Sequence, residues 1–345
     1  MGIAKRIGNQ LRCYGSYALS LVGIVRVHHM PTFLSVEPAS ICQLRCPECP
    51  VGMHATKRDS RTPARMPMSL YREVLRQAGA TVHTIQFYFQ GEPLLNPALP
   101  DMVKAAVARG IYTIVSTNAQ ALDRTMARRL VASGLHRIII SMDGLTQATY
   151  EAYRQGGDVE QAKRAIRYLQ EARQEANGKA GAEKKKDKKY PIIELQCLRL
   201  RSNEGEWQAF RQSYRALGAD RLRFKTAQLY DYGEGNPLMP TDLHYARYEK
   251  GKDGKYILKR SLLRRLWQHI TKVSPCYRLW AGCVLTTAGE VLPCCYDKSH
   301  QYAYGNIQNT TLRTLFGSTK ANRFRKRIIR AKEHSLPAIC RNCWH

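Results

Sequence analysis

Short apolar runs rich in β-branched and aromatic residues recur through the first two thirds of the chain: FLSVEP (33–38), TIQFYF (84–89), YTIVS (112–116), RIIIS (137–141), IIELQCL (192–198) and RLRFK (221–225). Their length and composition predict strands. Between them the apolar positions return at helical spacing. Leu99, Met102, Val103, Ala106 and Val107 share one helix face before Gly110, and Trp207, Phe210, Tyr214 and Leu217 share another before Gly218. A glycine just past such a stretch ends a helix. Six strands in strict alternation with helices predict an α/β fold with a parallel sheet and right-handed crossovers. After Lys225 the alternation stops, and scattered Tyr, Gly and Pro follow. The expected organisation is therefore a basic helical segment over 1–32, an α/β domain over 33–230, and a second, smaller domain over 231–345.

Composition narrows the partners. The chain has 345 residues, long enough for a large core, and 55 Lys plus Arg against 27 Asp plus Glu give +28. Such a field favours anionic partners and says nothing about fold. Residues 1–30 combine a basic start with a short apolar run, YALSLVGIV, too short to span a bilayer. They read as a basic amphipathic helix lying on the rest of the protein, with peripheral membrane contact as the other reading. No cleavable secretory signal is apparent, so the reducing cytoplasm is expected, where clustered cysteines serve metal or redox chemistry rather than disulfides. The Lys-rich segment 178–191 reads as a solvated loop within the α/β domain, against a basic docking site.

Eleven cysteines fall into two groups and three singletons. Cys42, Cys46 and Cys49 follow the first strand with the spacing C-x3-C-x2-C. Three thiolates on one loop can hold an iron-sulfur cube while leaving one iron open to a small molecule. Zinc is the rival, and His54 stands close enough in sequence to complete a Cys3His site. Other polar residues collect where strands end: Gln90 to Pro93 after the second, Ser116 to Asn118 at the third, Ser141 to Gly144 at the fourth, Gln196 and Arg199 near the fifth and Lys225 at the sixth. One such ending is an ordinary turn, but five together argue for a ligand across the mouth of a barrel.

With C-x3-C-x2-C after the first strand, GEP after the second, TN after the third and SMDG after the fourth, residues 33–225 resemble the radical S-adenosylmethionine enzymes. That resemblance implies a partial (β/α)6 TIM-like barrel with a [4Fe-4S] cluster held by Cys42, Cys46 and Cys49. The cluster's open iron chelates S-adenosylmethionine, and one electron, from a reducing partner such as flavodoxin or ferredoxin, splits the cofactor. The resulting 5′-deoxyadenosyl radical abstracts a substrate hydrogen. It further implies cofactor contacts at Gln90, Gly91, Glu92, Pro93, Ser116, Asn118, Ser141, Asp143, Arg154 and Gln196; for Arg154 a surface helix position is the alternative. The sequence departs from the family's usual pattern at Gln90, where GGEP becomes QGEP, and at Glu48, where an apolar residue is common.

The tail elements C-x3-W, G-x4-C, PCCYD, YGNI and a closing C-x2-C resemble the SPASM and twitch extensions of these enzymes, which bind auxiliary iron-sulfur clusters. Seventeen residues separate Cys276 from Cys294, forty-five separate Cys294 from Cys340, and two separate Cys340 from Cys343. This is similar to the one-cluster twitch type and implies one auxiliary [4Fe-4S] cluster on Cys276, Cys294, Cys340 and Cys343, with Cys295 the alternative to Cys294 and a four-cysteine zinc site the rival reading. Cys13, Cys197 and Cys283 read as buried thiols. The implied activity is a net oxidation, a dehydrogenation of a small or carbohydrate substrate. The +28 charge suits an anionic one. The alternatives are a peptide- or protein-modifying maturase, an RNA-modifying enzyme of the same chemistry, or a non-catalytic iron-sulfur or zinc-binding protein. Only about thirty residues precede the first strand, too few for an added peptide-docking module, and no RNA-binding module accompanies the basic RFRKRIIRAK (323–332). Lys225 and Asp297 are the candidate bases.

Overall fold

The computed structural model describes residues 2–53, 64–179, 190–260, 276–331 and 335–343. His54 and most of the Lys-rich segment lie outside the described residues. The six predicted strands are β1 (Phe33–Val36), β2 (Thr84–Phe87), β3 (Tyr112–Thr117), β4 (Arg137–Ser141), β5 (Ile192–Arg199) and β6 (Arg221–Thr226). They pair in chain order, each pair parallel.

The two-residue period of a strand separates two faces. On one, Leu34, Val36, Ile85, Phe87, Val115, Ile138, Ile140, Ile193 and Leu195 are buried. The crossover helices supply the other half of this core: α2 (Met68–Ala78), α3 (Leu99–Val107), α4 (Arg124–Ala132), the short α5 (Gln147–Glu151) and α6 (Val159–Lys179). On the opposite face the same strands carry Ser35, Gln86, Ser116, Ser141, Glu194 and Gln196. That face is polar because it forms the interior where a ligand would sit. Glu194, nearly fully buried there, is offset by Arg223 at 2.9 Å and Arg137 at 3.4 Å.

Beyond β6, β7 (Tyr248–Lys250) and β8 (Tyr256–Leu258) make a separate hairpin. Three further strands then rejoin the main sheet: β9 (Gly282–Leu285), β10 (Glu290–Leu292) and β11 (Gly305–Asn306). β9 runs parallel along the remaining edge of β1, with Phe33 opposite Gly282, giving the order β11-β10-β9-β1-β2-β3-β4-β5-β6. A Cβ at Gly282 would stand 2.4 Å from the Phe33 ring, so the closeness of this pairing depends on the missing side chain. The N-terminal helix α1 (Gly2–Leu21) lies against the helix Arg278–Ala281 and the helix Thr319–Arg330.

One side chain ties the ends of β4 and β5 to α7 (Trp207–Ser213). Asn203 is fully buried; its amide donates to the Asp143 and Leu198 carbonyls, both at 2.8 Å, and its oxygen accepts from Trp207 Nε1 at 2.7 Å and Leu200 N at 3.1 Å. Removing it strands several buried polar groups, each costing about 1–3 kcal/mol. Asn203→Ala is therefore expected to lose about 2–4 kcal/mol, read as a lower urea midpoint with an unchanged slope; an unchanged midpoint would contradict this role.

Candidate active site

The loop after β1 is folded tightly enough to need glycine at two places. Cys49 N donates to Cys46 O at 3.1 Å and Met53 N to Cys49 O at 2.8 Å, turning the chain back on itself. A Cβ at Gly52 would lie 2.6 Å from Cys46 N. Gly91, at φ +67°, approaches from β2, where a Cβ would lie 2.3 Å from Ala39 O. Next to it, Glu92 N donates to Ile41 O at 2.7 Å, which docks the GEP turn against the thiol loop.

Cys42, Cys46 and Cys49 all line one cavity of about 260 Å³, together with Gly91, Glu92, Ser116, Asn118, Ser141 and Arg154. Hydrogen-bond donors face the sulfurs: Leu44 N at 3.4 Å and Asn118 Nδ2 at 3.5 Å from Cys42 Sγ, and Arg154 Nη1 at 4.0 Å from Cys46 Sγ. Burial pushes the Cys42 thiol up to about 12, with Glu92 and the other two thiols adding to the effect against the Leu44 bond. Burial likewise raises Cys46, opposed by Arg154. Such thiols lose their protons readily only when a cation binds the sulfur in the proton's place, so the donor set fits an iron cluster seated in the cavity. Among the described residues no three cysteine, histidine or carboxylate side chains converge closely enough to hold one metal ion.

Two acidic residues of the expected contacts are taken up inside the protein. Glu92, almost fully buried, accepts from Thr117 Oγ1 at 2.6 Å, Asn118 N at 2.9 Å and Leu94 N at 3.0 Å. Asp143 accepts from Leu198 N and from Arg154 Nε, both at 2.6 Å. They position the strand ends; besides Glu92 itself and the three thiols, the cavity presents backbone, hydroxyl, amide and guanidinium. Arg154 is no surface residue: its side chain is 15 % exposed and its guanidinium lines the cavity. Pro93 is buried in the turn Pro93–Leu95. Gln90 lies outside the cavity lining and donates instead to Lys298 O at 2.8 Å. Gln196 also lies outside the cavity lining, its Oε1 buried without a hydrogen-bond partner. Glu48 accepts from Tyr230 N at 2.9 Å and Asn236 Nδ2 at 3.1 Å. The carboxylate at this unusual position thus clamps the segment after β6 over the thiol loop.

The second thiol group gathers around Cys294. Burial raises that thiol well above the ordinary value, and Cys295, Cys276 and Cys340 push it further. Cys295 accepts instead from Arg278 Nη1, 2.8 Å away. Cys343 N donates to Cys340 O at 3.2 Å, closing the C-x2-C turn. Cys13, Cys197 and Cys283 are buried in the main core. Asp297 caps a turn, accepting from Gln301 N and Tyr302 N, both at 2.9 Å, which takes its carboxylate out of the candidates for a base.

Between the two groups lies a second cavity of about 340 Å³. Tyr88 and Phe89 line both cavities and form the wall between them. Its far end is Cys294 and Cys295, and its sides carry Lys225, Arg247, Arg278 and Lys298, with no carboxylate among the described lining residues. Lys298 Nζ sits 4.5 Å above the Phe89 ring and donates to Phe89 O at 3.2 Å. Desolvation and the neighbouring Arg223 hold the Lys225 ammonium below its usual pKa. Of these four cations sequence reasoning singled out only Lys225. The other three come from segments far apart in the chain, and no local pattern marks them.

The Radical SAM superfamily model matches residues 36–179, and the SPASM model, an iron-sulfur cluster-binding domain, matches residues 276–344. The chain is 27% identical over 280 residues to PqqA peptide cyclase of Streptomyces rochei, covering 76% of this chain and 69% of that protein. It is 26% identical over 329 residues to PqqA peptide cyclase of Gluconobacter oxydans, covering 91% and 82%. A solved structure of native anSMEcpe with bound AdoMet and Cp18Cys peptide shares the fold at a TM-score of 0.59 and 20% identity, over 88% of this chain and 84% of that one. Both cysteine groups, the parallel barrel strands that carry the first and the matched models lead to one assignment: the chain belongs to the radical SAM superfamily and carries a C-terminal SPASM iron-sulfur domain.

Proposed function

We propose that this protein abstracts a hydrogen atom from an acidic residue of a peptide substrate held in the 340 Å³ cavity. The observation that carries the reading is that cavity's position and charge: it shares the Tyr88–Phe89 wall with the thiol-loop cavity, ends at Cys294 and Cys295, and is lined by four cations. The relatives named as peptide cyclases support a peptide as the substrate. When bound, the first cluster and S-adenosylmethionine supply the hydrogen-abstracting radical, and the auxiliary cluster an acceptor for one electron.

The chain's own groups have separable tasks in this reading. Cys42, Cys46 and Cys49 hold the first cluster, and Cys276, Cys294, Cys340 and Cys343 the auxiliary one. Gly91 presents backbone to the cofactor's amino group, Arg154 faces its carboxylate, and Ser116, Asn118 and Ser141 face its remaining polar atoms, while Pro93 and Gln196 stand behind this lining. Glu92 and Asp143 keep these in place, and Gln90 anchors the turn to the tail. Lys225 and Lys298 hold the substrate carboxylate, a charge-assisted pairing stronger than a neutral hydrogen bond. Arg278, already against Cys295, offsets charge at the second thiol group. The same cavity favours a second reading, the oxidation of a small anionic molecule, because its volume would hold one whole.

Two experiments test this. The triple substitution Cys42→Ala, Cys46→Ala, Cys49→Ala is expected to lower iron from about eight to about four per chain and to abolish dithionite-dependent 5′-deoxyadenosine formation. Cys294→Ala with Cys340→Ala removes the other four but leaves cofactor cleavage, and zinc in place of iron at either group would refute the assignment. With the reconstituted enzyme, peptides containing Asp or Glu are expected to accelerate cofactor cleavage and, when deuterated in that residue, to pass deuterium into 5′-deoxyadenosine. Lys225→Gln should raise their KM about tenfold or more, with substrate-free cleavage unchanged. Acceleration by small phosphorylated or carboxylated compounds but by no peptide would select the second reading.

A further inference from the structure

Helix α1 is docked with its polar side inward. Asn9 and Cys13 are buried, at 3% and 0% exposure, and Arg6, Asn9 and Gln10 bond to Gly110 O, Met30 O and Tyr277 OH at 2.8, 2.8 and 2.7 Å. The flank left uncovered carries Ile3, Ile7, Leu11 and Tyr14, one turn apart and 54–73% exposed, along an open groove of about 980 Å³ that runs to Phe33, Cys276 and Tyr277, with the Tyr14 ring stacked 5.7 Å from that of Tyr277. Exposed apolar residues continue at Leu19 in the last turn of the helix and past its end at Val22 and Ile24. This is the reverse of how an amphipathic helix packs on its own protein, where the apolar stripe faces the core. Exposed apolar stretches of this extent mark an interaction surface.

The surroundings indicate what covers it. Residues 1–36 contain no Asp or Glu, and Lys5, Arg12 and Arg26 are exposed beside the stripe. The helix Thr319–Arg330, packed against α1, adds exposed Arg323, Lys326, Arg327 and Arg330, with no acidic residue in the helix. Arg330 Nη2 would be 3.8 Å from a Cβ at Gly23, so the cationic rim reaches the turn that ends the stripe. Apolar side chains that insert, ringed by cations that pair with headgroups, are the two signals a stable interfacial contact requires. No described helix is long and apolar enough to cross a membrane, so the contact lies on the surface of the bilayer.

We infer that the outward face of α1 and the turn after it dock on an anionic lipid bilayer. The inference stands apart from the proposed substrate: the α1 residues line a separate groove of about 980 Å³ that reaches Cys276 and Arg278 from the other side, and none of them lines the cavity between the two thiol groups. The full reconstituted chain is tested by co-sedimentation with vesicles of phosphatidylcholine alone and vesicles with about a third phosphatidylglycerol. Binding is expected to the second kind, with a loss of about tenfold or more in about 0.5 M NaCl. The double substitution Ile7→Asp, Leu11→Asp, on exposed positions, should weaken partition about tenfold or more while leaving iron content and substrate-free cofactor cleavage unchanged. No binding to anionic vesicles, or equal binding by the variant, overturns the inference. So does a lipid-free dimer of the parent chain that the variant converts to monomer, which would assign the face to a second copy.

Discussion

β1 is held in parallel on both edges, by β2 on one side and β9 on the other, in register over all four of its residues. A strand so placed cannot slip by one residue without turning its side chains to the opposite face. The thiol loop leaves from its carboxyl end, so the position of Cys42, Cys46 and Cys49 is inherited from a strand fixed on both edges. The same pairing makes the tail a structural neighbour of the barrel. That is why the cavity of one thiol group adjoins the cavity of the other with Tyr88 and Phe89 as their shared wall.

Electrostatics repeats itself at the two ends of this path. Each thiol group sits where burial disfavours thiolate and where its members repel one another, and each has one guanidinium against a sulfur: Arg154 at Cys46 and Arg278 at Cys295. A guanidinium stays charged under any condition these sites meet and directs several donors in fixed geometry. Arg154 is itself fixed by Asp143, which Leu198 N and the Asn203 network hold in turn. The charge near the first thiol group is therefore set by packing several residues away.

Much of this was legible from sequence. The six strands lie within two residues of the apolar runs that predict them, because buried parallel strands read as continuous β-branched and aromatic stretches. The first cysteine spacing and the strand-end residues were legible because each is local, a few positions on one loop. What was not legible is what long-range packing decides. The parallel pairing of β9 with β1, the bonding of Glu48 to Tyr230 and Asn236, and the meeting of Arg247, Arg278 and Lys298 with Lys225 each join segments with no shared pattern. Periodicity also identifies α1 as amphipathic without saying which side faces in. The inward side is chosen by backbone carbonyls and a tyrosine hydroxyl that Arg6, Asn9 and Gln10 satisfy, and those acceptors lie up to roughly 270 residues away.

The pairing of β1 with β9 also has a history in time. Phe33 and its partner Gly282 are separated by roughly 250 residues, which a ribosome takes on the order of tens of seconds to add at about 5–20 residues per second. Through that interval one edge of β1 exposes unpaired backbone and the thiol loop stands beside an unfinished sheet. An open strand edge invites pairing with other chains. The nascent protein therefore passes through a stage in which the strand that carries its thiol loop is an open, adhesive edge, and release from that stage comes only with synthesis of the tail.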